Sequence, residues 1–185
     1  MTETAGAFVE ETQRKLDQAV KAIHRELDLK DEAKERMIRD VYEQARTEAI
    51  QAEQELRDQL EIEMKIARRA AFAPPQVEGA DPVSCQQAYS YAYEKIEEER
   101  DPNVLMHKLQ KAELLNDPFT AKAVLVRGYE LGNATIVGRY FDVYPDLRGD
   151  YDEFIDKAEA FNAQEKAMSL FSASSRLRPL AHYLA

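Results

Sequence analysis

Residues 31–72 read DEAKERMIRDVYEQARTEAIQAEQELRDQLEIEMKIARRAAF, without a glycine or a proline. Along this stretch Ile38, Val41, Ala45, Ala49, Ala52, Leu56, Leu60 and Ala67 recur at a mean step of about 3.6. That is the period of a straight helix face packed in a bundle, not the 3.5 of a left-handed coiled coil. At 1.5 Å per residue the tract predicts a helix about 60 Å long. Alanines in mid-stripe let a neighbouring helix approach closely. Towards the end Ile62, Met64 and Ile66 widen the apolar face, which predicts that this end enters a globular core.

The same charged, helix-forming character extends upstream to Thr4, with Gly6 the one glycine. Val9, Leu16, Val20, Ile23 and Leu27 form a second stripe, predicting a first helix from Thr4 to Leu27. Asp28-Leu29-Lys30-Asp31 reads as a turn or kink, since either aspartate can cap a new helix start; a continuous helix is the alternative. With a turn, the first helix folds back on the second as an antiparallel hairpin. The pattern leaves open whether that rod closes within one chain or is shared between chains.

Downstream, Ala73-Pro74-Pro75-Gln76-Val77-Glu78-Gly79-Ala80 breaks the pattern and reads as a linker. Asp-Pro then occurs three times, at Asp81-Pro82, Asp101-Pro102 and Asp117-Pro118. Aspartate at the N-cap with proline at the first helical position is a helix-start signal. These starts predict helices over 82–99, 102–115 and 118–131. Gly132 closes the third, and Asn133 caps a fourth that runs to Val143. Tyr144-Pro145-Asp146 is a turn before a fifth helix, from Arg148 or Asp150 to Leu170. The Asp-Pro spacing is too irregular for a fixed-period solenoid. The fold class is therefore all-α: a long N-terminal helical hairpin or rod over 1–72, a linker over 73–81, a helical bundle over 82–171 and a C-terminal tail over 172–185.

The formal net charge is −10, and acids outnumber bases on both sides of the linker. This disfavours direct nucleic-acid binding, which needs a basic surface to release counterions. No apolar run approaches the roughly 20 residues that span a bilayer, and the N-terminus lacks the basic start and apolar core of a signal peptide. The single cysteine, Cys85, allows no internal disulfide and no cysteine-based zinc site.

Signs of catalysis are sparse. His24 and His107 lack the glutamate three residues earlier that a di-iron bundle uses, and there is no His-Glu-x-x-His pattern. Glu97, Glu98 and Glu99 with Asp101 read as a solvated helix end rather than a cation site. Cys85 reads as a small buried residue. Gly128 and Gly138, each inside a helix, read as close helix crossings rather than phosphate loops. Tyr89 and Tyr93, one turn apart, fit either an aromatic patch or core packing with hydroxyls at the rim. We expect no catalytic, cofactor-binding or metal site.

The tail is the sharpest local feature. Ser172-Ala173-Ser174-Ser175 reads as flexible. Arg176-Leu177-Arg178-Pro179-Leu180-Ala181-His182-Tyr183-Leu184-Ala185 is apolar, mildly basic and broken by proline. Arg176, Leu177, Arg178, Leu180, Tyr183 and Leu184 are the candidate partner-binding residues, in a peptide that docks into a groove of a partner or neighbouring subunit. The alternative is a tail folded back on its own chain.

Two stretches carry a family resemblance. Asp28-Leu-Lys-Asp-Glu-Ala-Lys-Glu-Arg-Met-Ile-Arg-Asp-Val-Tyr-Glu-Gln-Ala-Arg46 is similar to a turn-plus-helix segment in helical proteins encoded among virion-structure genes of phages and prophages of actinobacteria. Val126-Arg-Gly-Tyr-Glu-Leu-Gly132 followed by Phe141-Asp-Val-Tyr-Pro145 resembles a later helix-turn-helix in such proteins. The resemblance implies a part in head or head–tail assembly and carries over no functional residue. The expectation is a non-enzymatic phage structural protein, a head–tail connector component that forms a homo-oligomeric ring and docks its tail on portal or capsid protein. It would be found in the virion, or in the host cytoplasm during assembly. A capsid scaffolding protein and a cellular coiled-coil adaptor are the alternatives.

Overall fold

The computed structural model describes residues 2–170 and 177–184, with side chains from Phe8 to Met168 and from Leu177 to Leu184. Among these residues the fold is all-α, without a strand. The helices are α1 (Thr2–Arg25), α2 (Asp31–Ala71), α3 (Pro82–Glu94), α4 (Pro102–Leu114), α5 (Pro118–Glu130), α6 (Ala134–Val143), α7 (Arg148–Leu170) and a single-turn α8 (Ala181–Leu184). A 3-10 turn, Pro145–Leu147, leads into α7. The chain divides into two compact units, one of residues 1–64 with 156–185 and one of residues 65–155.

In the first unit α1 and α2 form the hairpin. Leu16, Val20 and Ile23 of α1 are buried in one cluster with Ile38, Ala45 and Ala49 of α2. Ala49 is fully covered, which is what alanine in mid-stripe permits. Leu27, the last residue of the predicted first stripe, lies in the turn and is 94% exposed, because α1 ends at Arg25. The second half of α7 is tied to α2 by ion pairs: Arg57 Nε donates to Glu165 Oε1 at 2.5 Å and Lys157 Nζ to Glu63 Oε2 at 2.6 Å.

From residue 65 onward α2 belongs to the second unit, and its packing there differs from the sequence expectation. Ala67 and Ala71 are buried and Phe72 packs against the core, whereas Ile62 and Ile66 are 57% and 62% exposed. The 3.6 period puts Leu60, Ala67 and Ala71 on the inner face and leaves the two isoleucines on another.

In the second unit α5 is central. Every residue from Ala121 to Val126 is buried, and so is Gly128. Around it pack Ile96, Leu105 and Leu109, with Ile136, Tyr140 and Phe141 from α6. Phe72 sits among aromatic rings, with centroids 5.1 Å from Tyr129 and 5.4 Å from Phe154.

The Asp-Pro starts are realised in atomic detail. Asp81 accepts from the Ser84 amide at 3.0 Å, Asp101 from Asn103 at 2.8 Å, and Asp117 from Phe119 and Thr120 at 3.1 Å each. Asn133 caps α6 through the Ile136 amide at 3.1 Å, and Gly132 closes α5 at φ +65°. That positive φ is the left-handed cap that glycine adopts without a Cβ penalty. Helix α3 stops at Glu94, short of the predicted 99, because the following turn draws Ile96 into the core to 1% exposure.

The two helical glycines differ. A Cβ on Gly128 would lie 2.6 Å from Ile136 Cγ2, so α5 and α6 cross at a distance only glycine allows. Gly138 meets nothing within 4 Å and marks no close crossing. Its reading as a crossing is corrected: that face of α6 is open.

Candidate docking site: the C-terminal segment on the helical hairpin

Residues 177–184 lie against α1 and α2 within the first unit. Pro179 prevents a continuous helix, and the chain makes one turn instead: the His182 amide donates to the Pro179 carbonyl and the Tyr183 amide to the Leu180 carbonyl, both at 2.9 Å. This turn points Leu177 and Tyr183 inward, and they are 4% and 7% exposed in the cluster that also buries Leu16, Val20 and Ile38. Leu180 and Leu184 are half-buried at its margin. The Tyr183 ring lies 6.4 Å from that of Tyr42. Burying side chains of this size contributes about 1.5–3 kcal/mol each.

A polar knot surrounds the tyrosine. On α1, Gln13 and Asp17 stand one turn apart beside the apolar stripe, and Gln13 Nε2 donates to Asp17 Oδ1 at 2.8 Å. Tyr183 Oη donates to Asp17 Oδ1 at 2.7 Å and accepts from Gln13 Nε2. The Arg178 amide donates to Gln13 Oε1 at 2.8 Å, and its guanidinium reaches Asp17 Oδ2 at 3.3 Å. Burial by itself would raise the Asp17 carboxyl; the hydrogen bonds from Tyr183 and Gln13 and the charges of Arg178 and Lys21 outweigh it and hold the carboxyl below its ordinary range. Burial, reinforced by Asp17, pushes the Tyr183 phenol up to about 12. Near neutrality the pair is therefore a fixed carboxylate and a fixed phenol donor, a geometry for holding a peptide.

Of the six candidate residues, Leu177, Arg178, Leu180, Tyr183 and Leu184 are brought together on this seat; Arg176 lies outside the described residues, as do residues 172–175 and Ala185. The seat's own side chains, Gln13 and Asp17, went unread in the sequence. Their one signal is an i, i+4 polar pair beside Leu16 and Val20.

The other singled-out residues are dispersed. His24, His107 and His182 are exposed and Cys85 is buried. Glu97 and Glu98 are exposed, while Glu99 takes a structural place: Oε1 accepts from the amides of Arg100 and Asp101, and its carbonyl accepts from Arg127 Nε at 2.8 Å. Tyr89 and Tyr93 pack against the second unit's core, and Tyr93 Oη donates to Glu130 at 2.8 Å. Among the described residues no group of three or more His, Cys, Asp or Glu is arranged to hold a metal ion, and no helix is long and apolar enough to cross a membrane.

Lys122 was also unread. It is 5% exposed, and its Nζ donates at 2.6 Å to the carbonyl of Ala71, the last residue of α2. A cation there satisfies an orphan carbonyl at the negative end of a long helix. Burial pulls its ammonium down to about 8, partly opposed by Asp150.

No family model, curated protein or solved structure matches the chain.

Proposed function

We propose that this chain is a non-enzymatic structural protein of a phage particle, a connector component at the head–tail junction that docks its C-terminal segment on a partner such as the portal or a capsid protein. The resemblance in residues 28–46, 126–132 and 141–145 supplies the setting. One observation supports the docking role: the segment 177–184, folded back on its own chain, is held on paired helices by two apolar anchors and a four-residue polar knot, contacts of the kind a docking peptide makes. Its grip centres on Leu177, Tyr183 and the bonds to Gln13 and Asp17, with Leu180 and Leu184 at the margin, the kind of contact set a helix-groove ligand makes. A partner that offers an apolar groove beside a carboxylate competes for the same anchors. In this reading the connector works as a homo-oligomeric ring, and the hairpin is the resting place of the tail.

The test uses the full chain and a chain ending at Ser175 as baits in the source lysate, with captured proteins identified by mass spectrometry. The reading expects portal or capsid protein with the full chain and its loss on truncation. Capture of such proteins that is indifferent to the tail, or capture of cellular proteins alone, would overturn it.

A further inference from the structure

Between α3, α4 and the start of α5 lies a groove of about 560 Å³. Its walls include Ala92, Ile96, Ala112, Leu115 and Phe119, and Tyr91 stands at its side, 62% exposed. Leu115 is itself 67% exposed, so the apolar wall continues onto the surface. Three lysines, Lys95, Lys108 and Lys111, line the same groove against one acid, Asp117, whose carboxylate is engaged in capping α5. Lys108 Nζ donates to the Lys95 carbonyl at 3.3 Å and lies 4.0 Å from Glu99; Lys95 Nζ lies 4.9 Å from the Tyr91 ring centroid. On a chain of net charge −10, this is an apolar groove with a cationic rim.

The same chain carries the complementary element. On α2, Ile62 and Ile66 are exposed one turn apart, at 57% and 62%. Glu55 and Asp58, both exposed, precede them on the same face, within an arc of roughly 80° at 3.6 residues per turn. Arg69, beyond Ile66, falls in the same arc, so the acids sit at the Glu55–Asp58 end of the face. It is that end, with the exposed isoleucines, that matches apolar walls adjoining lysines in a groove.

We infer that this groove takes the Glu55–Ile66 face of α2 from a second copy of the chain, with Ile62 and Ile66 on the apolar walls and Glu55 and Asp58 against the lysine rim. Repulsion between two acidic chains is largely screened beyond about 8 Å in physiological salt, so local pairing decides the contact. The two surfaces differ, so the contact is heterologous: each copy offers a groove to one neighbour and a helix face to another. The inference deepens the assembly reading by naming the contact between copies.

Sedimentation velocity on the full chain over a wide concentration range tests it. The wild type is expected to self-associate with increasing concentration. Ile62→Glu and the double variant Lys95→Glu/Lys111→Glu each change exposed positions, and each is expected to weaken association about tenfold or more, the effect of losing an anchor or inverting the rim. Mixed one to one, the two variants are expected to form a heterodimer that grows no further, because each retains the one surface the other lacks. A wild type that stays monomeric, variants that assemble like the wild type, or a mixture that stays monomeric would each overturn the inference. Those failures would leave tail-dependent capture of a partner intact, and loss of that capture would leave the copy-to-copy contact intact.

Discussion

Gly128 and Gly138 look alike in the sequence, and a single side chain separates them. Ile136 leaves no room for a Cβ at Gly128, whereas Gly138 faces open space. Gly128→Ala is expected to cost about 1–3 kcal/mol through overpacking. Gly138→Ala is expected to be neutral or stabilising by up to about 1 kcal/mol from helix propensity alone. Urea titration of both variants checks the contrast, and equal effects would refute the crossing. Lys122 gives a second contrast. Its folded-state pKa, near 8, lies below the ordinary 10.5, so between those values the unfolded chain binds more protons and stability rises with pH. Unfolding midpoints in urea at pH 7 and pH 9.5 are expected to show that rise in the wild type and its loss in Lys122→Met. The crossing at Gly128 was legible from a glycine inside a helix, but nothing local separates it from Gly138, and Lys122 was not legible at all. A lysine inside Ala121-Lys122-Ala123-Val124 reads as an interruption of an apolar run, and the carbonyl it caps lies 51 residues away.

At the scale of elements, local chemistry was the legible part. Proline cannot donate and aspartate can cap, so each Asp-Pro pair fixed a helix start within its own four residues. Asp117 caps two amides at the start of the most buried helix, whereas Asp81 caps one amide on a peripheral helix. Asp117→Ala is expected to cost about 1–2 kcal/mol and more than Asp81→Ala, since an N-cap loss at the core element is transmitted to more packing. The seat of the tail was not legible, because Gln13 and Asp17 meet partners 165 and 166 positions away. Removing residues 176–185 is expected to speed amide exchange along residues 12–23 of α1 while leaving α5 unchanged, as measured by hydrogen–deuterium exchange. Acid acts on the same contact. The depressed Asp17 carboxyl stabilises it above about 3.8 and ceases to do so as pH falls through the folded value. The raised Tyr183 phenol stabilises it below 10.0 and ceases to do so as pH rises through about 12. The difference in stability between the full and truncated chains is therefore expected to be greatest across the neutral range and to shrink at both ends.

For the whole molecule, composition and helical pattern give the fold class and support the assembly role proposed. A net charge of −10 argues against a phosphate backbone as partner, and an all-α fold with a long hairpin suits bracing and assembly. The division into two units was less visible, because α2 and α7 each run through the boundaries at residues 64/65 and 155/156 without any break in helical pattern. The proposed function draws on both levels: the resemblance supports the setting proposed, and the seated tail supports the means of attachment proposed. Its most direct test is quantification of this chain in density-purified mature particles from the source lysate, by mass spectrometry against labelled reference peptides. A connector stays in the finished particle, so the account predicts the chain at a fixed ratio to portal protein in filled, tailed particles. Its absence from those particles, with the chain recovered only from empty heads or from the soluble lysate, would contradict the account.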